Sequence, residues 1–401
     1  MPIYWIWFAG LKGLSVHRKR QLLETFCDPE ELWRTDSGKL PEDVAEALNH
    51  KDLSEAMEIY RQCTLRGIGV VGYAEAEYPA RLRSLEDPPL VLYFKGKLPD
   101  WQAQPVIAVV GTRKASPYGI QTTDLLASQI AACGGLVVSG AATGVDRRAM
   151  EAALVQGKPV VGVLGGGADV VYPAANRELY RQTEEKGCLI SEYPPGSRPF
   201  PGNFLQRNRI ISGLSDGVLI VEAPERSGAL NTAQHAFSQG RDVYAVPGNL
   251  GVESCAGSNR LLQEGAYPVL SGWDVVKHYE ALYPGAVKNQ REPIRQKEQK
   301  LLPKVAETPV APEKRQTQSE NTAQIPIDNR DESTYSVINK RPMGLSAREE
   351  AVWDLLSTQP ELIDSIMDRT DLPASAVQTA LTRLTIKGMA VQYPDCRVSR
   401  K

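Results

Sequence analysis

Apolar positions change their spacing three times along the 401 residues. Up to about residue 65 they recur at helical intervals, as in Leu22, Leu23 and Phe26 and then Leu32 and Trp33, with no run that reads as a strand. The opening stretch Ile3 to Ala9 is apolar but short, follows no basic segment and precedes no small-residue cleavage site, so it reads as core rather than as a signal peptide. From Gly67 to Tyr283 the pattern becomes strand, loop, helix, repeated. Val106 to Val110 is uninterrupted apolar sequence, as a strand covered on both faces requires. Ser116 and Pro117 form an N-cap and first-turn proline for a helix that runs to Cys133 and stops at Gly134-Gly135. Leu136 to Ser139 is the next strand, Asp146 is expected to cap the next helix, and Val160 to Leu164 follows as a third strand. Further strands are predicted at Leu189 to Glu192, Val218 to Glu222, Val243 to Val246 and Pro268 to Leu270. Such alternation demands right-handed crossovers and an α/β, mainly parallel, doubly wound sheet, with ligands beyond the carboxyl ends of its strands.

Between Pro284 and Gly344 the periodicity collapses into Pro, Gln, Glu, Lys and Thr, the composition of a flexible linker. The remaining residues, Leu345 to Lys401, predict three helices and a two-stranded wing, which resembles a winged helix. The chain thus divides into a helical domain (1–65), a sheet domain (66–283), a linker (284–344) and a winged-helix domain (345–401). With seven basic and eight acidic residues the tail is poorly charged for reading duplex DNA, and contact with protein fits it at least as well.

Composition narrows the chemistry. No apolar run approaches the roughly 20 residues of a membrane span, so a cytoplasmic protein is expected. The six cysteines are scattered, without a CxxC or a histidine at ligand spacing, which argues for reduced thiols and no metal site. With 46 basic and 48 acidic residues, no global basicity advertises a nucleic-acid partner, and any such site must be a local patch. In the first 65 residues, Gly10-Leu11-Lys12-Gly13-Leu14-Ser15 followed by a basic helix is similar to the hairpin of helix-hairpin-helix modules. The segment's acidic excess, eight basic to eleven acidic residues, favours a helical docking module instead.

The informative loops lie at strand ends. Gly111-Thr112-Arg113 follows the first strand, bringing two amides, a hydroxyl and a guanidinium to the carboxyl edge. Ser139-Gly140 opens the loop after the second and leads to a helix carrying Arg147, and Gly165-Gly166-Gly167 follows the third. Glycines before a helix N-terminus suit an anion, although each cluster could equally mark a tight turn. Neither the dinucleotide fingerprint nor a G-x-x-x-x-G-K-[ST] loop occurs, so neither a dinucleotide cofactor nor a nucleotide-driven motor is expected. Phe204, Arg207 and Asn208 fall on one face of a predicted helix whose other face carries Ile210, Ile211 and Leu214. An aromatic ring beside guanidinium groups grips single-stranded nucleic acid by stacking and phosphate contact. The alternative is that Arg207 and Arg209 pair internally with Glu192 or Glu222. No G-x-S-x-G nucleophile is present, and Asp146 with Glu222 is a carboxylate pair that capping and ion pairing explain.

Several stretches, in order, resemble the DNA-processing protein A family (DprA, also called Smf): YPARL from Tyr78, VGTRKASPYG from Val110, SGAATGVD from Ser139, Tyr172-Pro173 with Asn176, SEYP from Ser191, RNRIISGLS from Arg207, SGAL from Ser227, VPG from Val246 and GSN from Gly257. The resemblance implies an extended Rossmann-like domain that dimerises, and a non-enzymatic recombination mediator. Such a protein binds and shields incoming single-stranded DNA during natural transformation and helps load the RecA recombinase. It further implies that Arg113 holds phosphate, that the Gly111 and Gly140 amides cradle it, and that Phe204, Arg207 and Arg209 flank the strand. The chain departs from the family pattern at Met150, where histidine is common, and at Leu205, where proline is usual. A rival expectation is an enzyme of similar fold that hydrolyses nucleoside monophosphates, but its P-G-G-x-G-T loop is absent.

Overall fold

The computed structural model describes residues 1–26, 28–48, 51–290, 345–357, 361–367, 369–370, 372, 374–387, 389–392 and 397–400. They fall into two compact units, with the boundary after Thr308.

A nine-stranded sheet organises the first unit. Its strands are β1 (Gly69–Gly72), β2 (Val91–Gly96), β3 (Val106–Val110), β4 (Leu136–Ser139), β5 (Val160–Leu164), β6 (Cys188–Ser191), β7 (Gly217–Ile220), β8 (Asp242–Ala245) and β9 (Tyr267–Pro268), in the spatial order β1-β2-β6-β5-β4-β3-β7-β8-β9. All pairings from β6 through β9 are parallel. Helices α6 (Pro117–Ala132), α7 (Val145–Val155), α8 (Arg177–Lys186), α9 (Pro201–Leu214), α10 (Gly228–Ser238), α11 (Glu253–Gln263) and α12 (Gly272–Val276) follow β3 to β9 in turn. The central strands β3, β5 and β7 are apolar throughout and fully buried because both sheet faces are covered there. Ile107 and Val109 of β3 join a core with α6 and α7, whereas Val106, Ala108 and Val110 join a second core with α9 and α10. Each such fully buried side chain contributes about 1.5–3 kcal/mol. From β3 the chain winds outward through β4, β5 and β6, then returns to the other side of β3 as β7. The winding therefore reverses between β3 and β7, and a crevice opens beyond their carboxyl ends.

Three details differ from expectation. Strands β1 and β2 were not predicted; they are joined without an α-helix and extend the sheet antiparallel, β2 pairing with β6. Glycine makes β1 possible, since a Cβ at Gly69 would strike the Phe94 ring and one at Gly72 the Trp5 indole. The cap of α7 is Gly144, at φ 77°, rather than Asp146. A Cβ there would lie 2.3 Å from the Thr112 carbonyl oxygen, so only glycine permits the approach, and Asp146 lies in the first turn with its carboxylate turned inward. Finally, the first residues after Tyr283 are held: Val287 is buried and the Lys288 amide donates to the Cys133 carbonyl at 3.0 Å. The rest of the expected linker, residues 291–344, lies outside the described residues.

The N-terminal helices α1 (Pro2–Gly10), α2 (Val16–Phe26), α3 (Pro29–Arg34), α4 (Glu42–Ala47) and α5 (Ser54–Leu65) belong to the same unit as the sheet. Trp5, Ile6, Trp7 and Phe8 of α1 are buried together with Val91 and Tyr93 of β2 and with Ala168 beyond β5. Among the described residues no helix is long and apolar enough to cross a membrane.

The second unit contains α13 (Ala347–Leu355), α14 (Ile363–Met367) and α15 (Ala374–Ile386) and an antiparallel sheet of β10 (Glu361–Leu362), β11 (Ala390–Gln392) and β12 (Arg397–Arg400). Val352, Ile366, Val377, Leu381 and Leu384 form its core, and Ser346 with Glu349 makes a capping box at the start of α13. Gly388, where the sequence predicts the third helix to stop, and Pro394-Asp395, where it predicts the turn of the wing, lie outside the described residues.

Candidate nucleic-acid interface

Two adjoining concavities, of about 480 and 260 Å³, follow the carboxyl ends of β3, β4, β5 and β7. They share Arg113, Ala142, Tyr172, Pro199 and Phe204 as walls and so form one groove. The larger lies over the β3/β7 crevice and is further lined by Gly111, Thr112, Lys114, Arg207, Asn208 and Arg226. The smaller reaches Gly140, Thr143 and Gly165.

Phe204 is the centre of this groove. Helix α9 begins with Pro201 in its first turn, and its 3.6-residue repeat brings Phe204, Arg207 and Asn208 to the groove while Ile210, Ile211 and Leu214 enter the core. The Phe204 ring lies 5.5 Å from Tyr172, tilted by 34°, and Tyr172 is 45% exposed. The Arg113 guanidinium sits 5.0 Å from the Phe204 centroid, a cation–π contact on an exposed side chain. Among the described residues, Arg113, Lys114 and Arg226 take part in no ion pair, so the rim carries three cations without an ion-pair partner there.

Beneath the rim the polar groups serve the fold. Arg207 is only 3% exposed, and its Nη1 donates to the Gly140 carbonyl at 2.7 Å and also to the Val163 carbonyl. Its Nε is buried and has no hydrogen-bond partner among the described residues. Burial pushes the Asp146 carboxyl up from its ordinary range, opposed by Arg207 and by the Ala142 and Gly111 amides. Burial likewise lowers the Arg207 pKa, with Asp146 opposing. Gly140 lies between them, and a Cβ there would fall 2.5 Å from Asp146 Oδ2 and 2.6 Å from Arg207 Nη2. The Gly111 amide therefore faces an internal carboxylate.

The remaining predicted site residues divide. Asn208 borders the groove but its Nδ2 donates to the Gly228 carbonyl and Asn231, joining α9 to α10. Ser139 is fully buried and donates to the Val109 carbonyl at 2.7 Å. Arg147 pairs with Glu151 at 2.7 Å and does not line the groove. Arg209 points away: its Nη2 donates to both Glu192 oxygens at 2.7 and 2.9 Å, and its Nε pairs with Asp87 at 3.3 Å. Burial raises the Glu192 pKa, with Arg209 opposing. The internal pairing weighed for Arg209 is thus its geometry here, because residues two apart lie about 200° around a helix and so Arg209 faces nearly opposite to Arg207. Glu222 is fully buried and accepts from the Ser116 amide at 2.8 Å, so it serves the start of α6. Tyr172, Lys114 and Arg226 were missed as site residues; extending the strand-end logic to the loop after β7 would have found Arg226.

A family model described as DNA recombination-mediator protein A matches residues 69–280. The chain belongs to this family. A DprA winged helix domain model matches residues 339–395. Among curated relatives, Protein Smf of Synechocystis sp. is 28% identical over 99% of this chain and 98% of its own length. The DNA processing protein DprA of Bacillus subtilis is 38% identical over 56% of this chain and 74% of its own. The X-ray structure of DprA from Streptococcus pneumoniae aligns with a TM-score of 0.57 and 33% identity, covering 69% of this chain and 96% of that one. The family description names a mediator of recombination, not a catalysed reaction.

Proposed function

We propose that this protein binds single-stranded DNA in the groove around Phe204, protects incoming DNA during natural transformation and helps load the RecA recombinase. The observation that carries the DNA contact is the aromatic pair Tyr172–Phe204 under Arg113, with Lys114 and Arg226, which form no ion pair among the described residues, beside it. Unstacked bases present a ring face to such a platform, and the rim cations meet the backbone; a paired duplex offers no free base face. Gly111, Thr112, Arg113, Gly140, Phe204, Arg207 and Asn208 border the groove, and Tyr172, Lys114 and Arg226 complete it. Family membership supports the mediator role and the transfer to RecA. The site of action is the cytoplasm, where both internalised DNA and recombinase are found.

A homodimer belongs to the same proposal. Among the described residues the sheet ends at β9, and Tyr267, Pro268 and Leu270 border a concavity there, with Leu270 81% exposed. A second copy of the chain would cover this apolar edge. Titrating the full chain with single- and double-stranded oligonucleotides at two ionic strengths tests the DNA proposal. Preference for the single strand and a salt-dependent affinity are expected; equal affinity for duplex would refute it. Release of free base from nucleotides, lost on changing Asp146, would instead favour the hydrolase.

A further inference from the structure

The basic start of α2, which made a phosphate-binding hairpin plausible, is engaged by the protein's own acceptors. Arg18 pairs with Asp43 at 2.7 Å, Lys19 donates to the Ala9 carbonyl at 2.8 Å and Arg20 to the Leu85 carbonyl at 3.1 Å. Lys51 likewise donates to the Trp33 carbonyl at 2.7 Å. The helical segment therefore spends these cations on the fold, and one more cation leads from it to the groove.

Arg66 follows α5 directly. Its Nη1 pairs with Asp169 Oδ2, while its Nε and Nη2 are steadied by Gln62 Oε1 at 3.3 and 3.1 Å. Asp169 Oδ1 accepts from the Gly196 amide at 2.8 Å, so one carboxylate joins the helical segment to two loops at once. Those loops are themselves zipped together: the Gly167 amide donates to the Ser197 carbonyl at 2.9 Å and Ser191 Oγ to the Gly166 carbonyl at 2.7 Å. A Cβ at Gly167 would meet Asp169 Oδ1 at 2.7 Å and the Pro194 oxygen at 2.8 Å, which leaves no slack between them. The same loops supply Gly165, Gly166, Val170 and Pro199 to the groove wall. Ala168, between lining and anchor, is buried in the core formed by Trp5, Leu32 and Cys63.

We propose that the N-terminal helical segment is a brace for the DNA groove, and that Arg66, through Asp169, is the positioning residue that fixes the groove's outer wall. This rests on the single-strand reading of the groove. The brace acts through shape: Arg66 touches no nucleotide, so its loss moves the wall without removing a phosphate contact.

The test uses the full chain with Arg66→Gln, Arg66→Lys, Asp169→Asn and the Arg66→Gln/Asp169→Asn double variant, a labelled oligothymidine, and hydrogen exchange at the Gly167 and Gly196 amides. Coupling through a packed contact of this kind changes affinity by about 2- to 30-fold, and Arg66→Gln and Asp169→Asn should each weaken binding within that range. The double variant should be no weaker than the worse single one, Arg66→Lys should recover most of the affinity, and the salt slope should stay that of the wild type. Faster exchange at both amides in the DNA-free single variants is expected as well. Three results would overturn the brace: unchanged exchange, faster exchange with unchanged affinity, or a salt slope reduced by about 0.7, which would make Arg66 a phosphate contact. Failure of the wild type to bind oligothymidine would sink the DNA proposal itself, and the exchange data would still report on the brace.

Discussion

Replacing Arg113 by alanine removes an exposed cation whose guanidinium rests on the Phe204 ring and which pairs with no carboxylate among the described residues. The buried Asp146 carboxylate loses only a minor attraction and keeps Arg207 and the Ala142 and Gly111 amides, so folding should change little and the main effect should fall on DNA. If Arg113 neutralises one phosphate, the slope of log affinity against log salt should shrink by about 0.7. Over a fourfold rise in salt, the wild type would then lose roughly 2.6-fold more affinity than the variant. Loss should be similar for all sequences, because a phosphate contact positions the strand without reading it. Phe204→Ala provides the contrast: stacking worth about 1–3 kcal/mol per base should disappear, weakening binding roughly 5- to 150-fold at every salt concentration. Fluorescence anisotropy of labelled oligothymidine between about 50 and 200 mM salt separates the two variants by slope and intercept. An Arg113→Ala protein that kept both the wild-type slope and affinity would refute the placement of phosphate at this rim.

Arg209→Met should lower the urea midpoint, by about 1–3 kcal/mol of stability, because Glu192 loses its ion-pair partner while retaining some solvent contact; the salt slope for DNA should not move. Lys19 is buried and its pKa is lowered to about 8, so folding carries a cost while both states are protonated below that pH. Between about pH 8 and 10.4 the folded protein releases this proton before the unfolded chain does, relieving the cost as pH rises. Denaturant melts of Lys19→Met against wild type should therefore show the variant's relative stability falling across that window; a constant difference would refute the assignment. Leu270→Arg places a charge at the exposed sheet edge, and if the chain dimerises there as proposed, sedimentation should show dimers for the wild type and monomers for the variant.

The parallel core was legible because burial on both faces leaves an unbroken apolar run, as at Val106–Val110, and because the Ser116-Pro117 and Gly134-Gly135 signals bracket a helix. Strands β1 and β2 escaped the same logic because no α-helix separates them and their pairing is antiparallel. At the groove, Phe204, Arg207 and Asn208 were placed on one face by helical spacing alone. Spacing could not say which arginine finds a carboxylate: Glu192 meets Arg209 only because β6 ends beside α9, a relation of tertiary packing. Asp146 was assigned to a cap for the same reason, since the approach of Gly144 to Thr112 is invisible in one dimension.

Phe204 has two guanidinium neighbours, at 5.0 and 5.9 Å, and they differ in one respect: Arg113 is bathed in electrolyte, whereas Arg207 lies behind the protein surface. Mobile counterions can crowd around the first but have no access to the second. The ring is thus polarised from a dry side as well as a wet one. If a base stacks on this ring as proposed, brine that strips the backbone contacts away would leave that inner neighbour in place.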